Sequence, residues 1–145
     1  MTTVIETPGT ATSLHGWTPA CRLDYLIPGR GVAVLLKGGR QAALFWVPGE
    51  AAGATDGTLY AVGNIDPFGR AAVMSRGIVG DRGGVPVVAS PLLKQAFSLI
   101  DGRCLDDETV ALPVHAVRVQ DGVVVLANEP MLFPGGPGPI DGGTA

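Results

Sequence analysis

Metal-binding side chains are scarce in this chain. Its 145 residues include two cysteines, Cys21 and Cys104, and two histidines, His15 and His115. No two of these lie at chelate spacing, and there is no C-x-x-C, C-x-H or H-x-x-x-H. The cysteines and His115 therefore read as packing residues, and His15 as an exposed residue at the edge of the core. Two cysteines cannot staple a domain of this size, so nothing marks an oxidising compartment. No apolar run approaches the roughly 20 residues of a membrane span. Met1 to Ser13 has neither the basic nor the apolar segment of a secretory leader, so a cytoplasmic location is expected. Charged residues make up 16% of the chain and the net charge is −3. The ten basic residues are spread along the chain, without the clustering that nucleic acid or an anionic membrane requires.

The chain is rich in breakers, with 22 glycines and 12 prolines. Both cut a chain into turns, which favours many short strands over long helices. Residues 1–13 read as a flexible arm, 14–127 as one domain, and 128–145, with its Pro-Gly-Gly-Pro-Gly-Pro run, as a flexible tail. Within the domain, Val32–Leu36 and Ala42–Val47 flank Gly38-Gly39, which predicts a hairpin. Asp56-Gly57 turns the chain into Leu59–Val62. His115–Val119 and Val123–Leu126 flank Gln120-Asp121-Gly122, which predicts a second hairpin. Asn64 to Ser90 reads as two long loops. Leu92, Leu93, Ala96, Phe97 and Ile100 recur at helical spacing, so periodicity alone predicts a short helix over Pro91–Ile100.

No site for covalent catalysis is visible. There is no G-x-S-x-G, and Ser75, Ser90 and Ser98 have no neighbouring base. The glycine-rich stretch Arg76–Gly84 lacks the Lys-Ser/Thr ending of a phosphate-binding loop, and is expected to be a mobile or sharply turned surface loop. Arg70, Arg76 and Arg82 make this region the most basic in the chain. With Met74, Ile78 and Val79 it is either a partner-docking surface or a plain loop.

A family signal runs from about Trp17 to Leu126. Trp17…Cys21…Leu23-Asp24 and Pro28–Val34 are similar to the opening of Rieske-type ferredoxins. Leu59–Pro67 resembles the strand and first cluster loop, where that family has C-x-H. Ala89–Cys104 resembles the second loop, where it reads C-P-x-H-G-x-x-F-x-L-x-T-G. The block Asp66-Pro67-Phe68, Ser75–Gly84, Pro86–Pro91, Lys94-Gln95 and Phe97–Leu99 is similar to the small subunits of the assimilatory NAD(P)H-dependent nitrite reductases, a Rieske-like family without cluster ligands.

The resemblance implies an all-β, Rieske-like antiparallel sandwich or barrel with two long loops at a vestigial cluster site. It makes Phe97–Leu99 a strand, against the periodicity. Asn64 and Asp66 fall at the first Cys and His positions, and Ser90 and Leu93 at the second. A [2Fe–2S] Rieske centre takes two thiolates and two imidazoles, and these four residues supply neither. The resemblance also implies a non-catalytic chain without a cofactor of its own. Its partner would be a large subunit carrying siroheme, [4Fe–4S] and FAD that reduces nitrite to ammonium with NAD(P)H in nitrate assimilation. A ferredoxin-like electron carrier and a stand-alone interaction module are the competing readings. Without a metal clip, polar contacts between the loop tips and burial of Leu93 would hold the loops closed; alternatively, each polar residue caps only its own turn.

Overall fold

A computed structural model describes residues 16–48 and 57–131. Among these described residues ten strands follow in order: β1 (Trp17–Arg22), β2 (Val32–Leu35), β3 (Gln41–Pro48), β4 (Gly57–Gly63), β5 (Ile78–Arg82), β6 (Val85–Ala89), β7 (Ala96–Ser98), β8 (Val114–His115), β9 (Val117–Gln120) and β10 (Val123–Ala127). They form three antiparallel sheets, ordered β1-β10-β9, β2-β3-β4-β8 and β5-β6-β7. The only helical segments among the described residues are short 3-10 turns at Leu23–Tyr25 and Met74–Arg76. The described residues are all-β, as the sequence and the resemblance led one to expect.

The four-stranded sheet is the middle layer, and β3 shows why. Ala42 and Leu44 pack with Leu26, Val34, Ala61, Val124 and Leu126 on the side of the β1-β10-β9 sheet. Ala43 and Phe45 pack with Val62, Met74, Val88, Phe97 and Leu99 on the opposite side. A strand buried on both faces has no polar positions to alternate with, hence the unbroken apolar run from Ala42 to Val47. Buried Cys104 belongs to the second of these cores and Cys21 is half-buried beside the first; burial raises both thiols above their ordinary pKa. Buried His115 donates from Nδ1 to the Ala127 carbonyl at 2.8 Å. His15 lies outside the described residues.

The two expected hairpins form. Gly38 and Gly39, at φ 97° and 96°, join β2 to β3. Asp121 and Gly122, at φ 51° and 80°, join β9 to β10 in the mirror-image turn that suits twisted strands. A third hairpin stands where a loop was expected. Gly83 and Gly84, at φ 62° and 89°, connect β5 to β6, so much of Arg76–Gly84 is strand and tight turn. The helix expected over Pro91–Ile100 is absent. Lys94 takes φ 64° and its amide closes a turn on the Ser90 carbonyl at 3.0 Å, breaking any helical path before β7 begins. The apolar spacing is split between buried Ala96 and Phe97 and exposed Leu92, Leu93 and Ile100.

The proposed arm and residues 132–145 of the proposed tail lie outside the described residues. Asn128 is buried and its amide donates to Gly16 O at 2.9 Å, while the Met131 amide donates to Val114 O at 2.7 Å. The described, hydrogen-bonded chain therefore continues past residue 127 to Met131.

Candidate functional site: two interlocked loops

Two loops leave neighbouring sheets and meet. The first, Asn64–Gly77, connects β4 to β5; the second, Ser90–Gln95, connects β6 to β7. Three of the four positions aligned with cluster ligands are buried at this junction. Asp66 is 0% exposed, and Asn64 and Ser90 are nearly as enclosed.

Asp66 joins the loops. Its Oδ1 accepts the amides of Phe68 at 2.8 Å and Gly69 at 3.2 Å, fixing the turn of its own loop. Its Oδ2 accepts the hydroxyl of Ser90, a residue of the other loop. Ser90 Oγ in turn accepts the Leu92 amide at 3.2 Å. The lock is polar, buried and mutually satisfied, as burial of a carboxylate demands.

Asn64 acts differently. Its Oδ1 accepts the Ser75 amide at 2.7 Å and its Nδ2 donates to Gln41 Oε1 at 3.2 Å. It fastens the 3-10 turn and the start of β3, within its own side of the junction. Leu93 departs from expectation: it is 57% exposed and does not fill the junction. It sits in the turn that Ser90 and Lys94 close, whose apex faces outward. Asp66 and Ser90 therefore form the clip, while Asn64 braces its own loop.

These residues do not fit an iron–sulfur cluster. They supply no thiolate and no imidazole, and their polar atoms are committed to one another, to the Gln41 side chain and to backbone amides. Among the described residues, no three His, Cys, Asp or Glu side chains converge.

The residues read as a docking loop scatter. Met74 is 0% exposed and belongs to the core, so it cannot meet a partner. Val79 is half-buried against the same core. Arg82 pairs with Asp106 at 3.2 Å. Arg70, Arg76 and Ile78 are exposed, on different segments. Met74 ends the short apolar run Ala71–Val73 just before Ser75-Arg76-Gly77, and the 3-10 turn it opens folds inward beneath β3. The residues that sequence reasoning missed are Gln41 and Gly69. Gly69 lies beneath the second loop, where an added Cβ would meet Leu92 Cδ1 at 2.6 Å, a contact the exposed leucine side chain can relieve by turning.

Residues 16–127 match the Rieske-like [2Fe-2S] domain family. The chain is 43% identical over 110 residues to the nitrite reductase (NADH) small subunit of Salmonella typhimurium, covering 76% of this chain and 95% of that protein. A crystal structure from Mycobacterium tuberculosis, provisionally described as an NADH-dependent nitrite reductase small subunit, superposes with a TM-score of 0.71 at 56% identity, covering 79% of this chain and 96% of that one. The chain is also 38% identical over 116 residues to the nitrite reductase [NAD(P)H] large subunit of Klebsiella oxytoca, covering 80% of this chain and 11% of that much longer protein.

Proposed function

This chain belongs to the Rieske-like [2Fe-2S] domain family and, within it, to the nitrite reductase small subunits, and we propose that it is the cluster-free, non-catalytic small subunit of a cytoplasmic NAD(P)H-dependent nitrite reductase. The observation that carries this reading is a match spanning 95% of a small subunit, combined with a donor set at the loop junction that does not fit an iron–sulfur cluster. Asn64, Asp66, Ser90 and Leu93 are the vestigial cluster positions. Siroheme, [4Fe–4S], FAD and the NAD(P)H site belong to the large subunit, and the reduction of nitrite to ammonium for nitrate assimilation takes place there.

The Klebsiella relationship supports the pairing. A domain like this one, built into a large-subunit chain, works at a high effective concentration beside the redox machinery. As a separate chain the same domain has to supply that proximity through its surface.

An electron-carrier role would require redox chemistry on this chain. The test is the visible spectrum and iron content of the purified protein, together with its recovery on the large subunit. Colourless, iron-free protein that binds the large subunit is the expected outcome. Visible cluster bands with stoichiometric iron would replace this reading with that of a ferredoxin-like carrier.

A further inference from the structure

The two loops are built to one plan. In the first, Asp66 O accepts the Arg70 amide at 2.6 Å while the Asp66 side chain accepts the Phe68 amide. In the second, Ser90 O accepts the Lys94 amide at 3.0 Å while the Ser90 side chain accepts the Leu92 amide. Each turn closes on a residue in the left-handed region, Arg70 at φ 60° and Lys94 at φ 64°. The remaining non-glycine residue of this kind among the described residues is Asp121, which a mirror-image hairpin turn requires. Glycine would fill positions 70 and 94 more cheaply. Both instead carry an exposed cation, and neither cation meets a carboxylate among the described residues. Strain kept at matched positions of two interlocked loops points to function.

Next to these cations lies exposed apolar surface. Pro91, Leu92 and Leu93 form the apex of the second loop, with Leu92 leaning over Gly69 of the first. Exposed leucines beside cations that meet no carboxylate among the described residues have the composition of a protein interface, with an apolar centre and a charged rim. Two cations are too few to grip a nucleic acid or an anionic membrane.

The geometry points to the loop tips, Leu92 and Leu93 flanked by Arg70 and Lys94, as the face that docks on the large subunit, against an apolar patch rimmed by carboxylates. This rests on the reading of the chain as a nitrite reductase small subunit. On a chain of net charge −3, a cationic tip also orients approach, because the rest of the surface is repelled by an acidic partner. The Asp66–Ser90 lock then has a purpose beyond stability: it holds the two cations and the two leucines in one rigid frame.

The test measures the affinity of the full chain for the purified large subunit in its cofactor-loaded form, at low and high salt. The variants are Arg70→Glu/Lys94→Glu, Leu92→Ser/Leu93→Ser, Lys94→Gly, and the control Leu35→Ser, an exposed apolar residue on β2. Both double variants should weaken binding by about tenfold or more. The charge reversal should also abolish the salt dependence seen with wild type. Lys94→Gly should weaken binding while its thermal midpoint holds or rises, a combination that no purely structural role for Lys94 produces. Leu35→Ser should bind as wild type. If wild type binds and the tip variants bind equally well, or if the control loses as much as they do, the docking face is wrong and the subunit reading stands. If wild type does not bind at all, the subunit reading falls and the docking face with it.

Discussion

The Ser90 hydroxyl donates to the Asp66 carboxylate across 24 residues of chain, with both groups sealed from solvent. The bond joins the loop that leaves β4 of the middle sheet to the loop that leaves β6 of the outer one. Closing two loops on each other costs entropy that a metal centre would offset with ligand bonds. Here a buried hydrogen bond takes that part, reinforced by the amides of Phe68, Gly69 and Leu92.

Ser90→Ala leaves Asp66 Oδ2 buried without its donor and should cost about 1–3 kcal/mol. Asp66→Ala should cost more, because it also releases two amides. The double variant should fall well short of the sum of the two, since both remove one interaction. Asn64→Ala, which cuts the bonds to Ser75 and Gln41, should add to Ser90→Ala with little coupling. Urea unfolding of the single and double variants measures all of these values, and full additivity of Asp66→Ala with Ser90→Ala would contradict the clip.

Relieving the left-handed residues should have the opposite sign. Lys94→Gly and Arg70→Gly each remove a steric cost of about 1–2 kcal/mol. Glycine gives back about 0.5–1 kcal/mol through its freedom in the unfolded chain. The net gain should be about 0.5–1 kcal/mol, read as a raised thermal midpoint. A clear loss of stability in both variants would show that the side chains of Arg70 and Lys94 support the fold.

Met74 and Ile78 differ in the same way. Met74→Ala empties a site in the core beside Phe45 and Phe97 and should cost about 2–5 kcal/mol. Ile78, 73% exposed at the start of β5, should change stability by no more than about 0.5 kcal/mol when replaced by Ala. Comparable losses at the two positions would contradict the burial of Met74.

Acid should loosen the segment after β7. The Ala96 amide and then the Arg82 guanidinium hold the Asp106 carboxyl below its ordinary value of 3.8, and Thr109 does the same for Asp107. A depressed carboxylate contributes stability above its unfolded pKa and loses it as pH falls through the folded one. Unfolding free energy should therefore drop as pH falls below the ordinary aspartate range, and Asp106→Asn should flatten that slope. An unchanged slope in Asp106→Asn would assign the acid sensitivity to other groups.

How much of this was legible depends on which physical signal each residue carries. The Gly38-Gly39 and Asp121-Gly122 turns announced themselves because each separates clean apolar runs. Gly83-Gly84 makes the same kind of turn, yet Gly80, Asp81 and Arg82 interrupt the apolar pattern before it and hide the strand there. Leu92, Leu93, Ala96 and Phe97 carry helical spacing by coincidence, and only the resemblance read Phe97 correctly as strand. That resemblance also located Asp66 and Ser90, since no local rule pairs residues so far apart in sequence. The outward turn of Leu93 and the inward turn of Met74 follow from backbone closures, at Lys94 and around the Asn64 brace, that residue type alone does not encode.

An iron-free chain that seats on the large subunit is the property on which the proposed function stands. The most direct measurement is size-exclusion chromatography of the purified chain mixed with the cofactor-loaded large subunit, with iron assayed on the small chain beforehand. Co-elution by a small chain free of iron is the predicted result. Separate elution, or co-elution only after the small chain has been loaded with iron and sulfide, would contradict it.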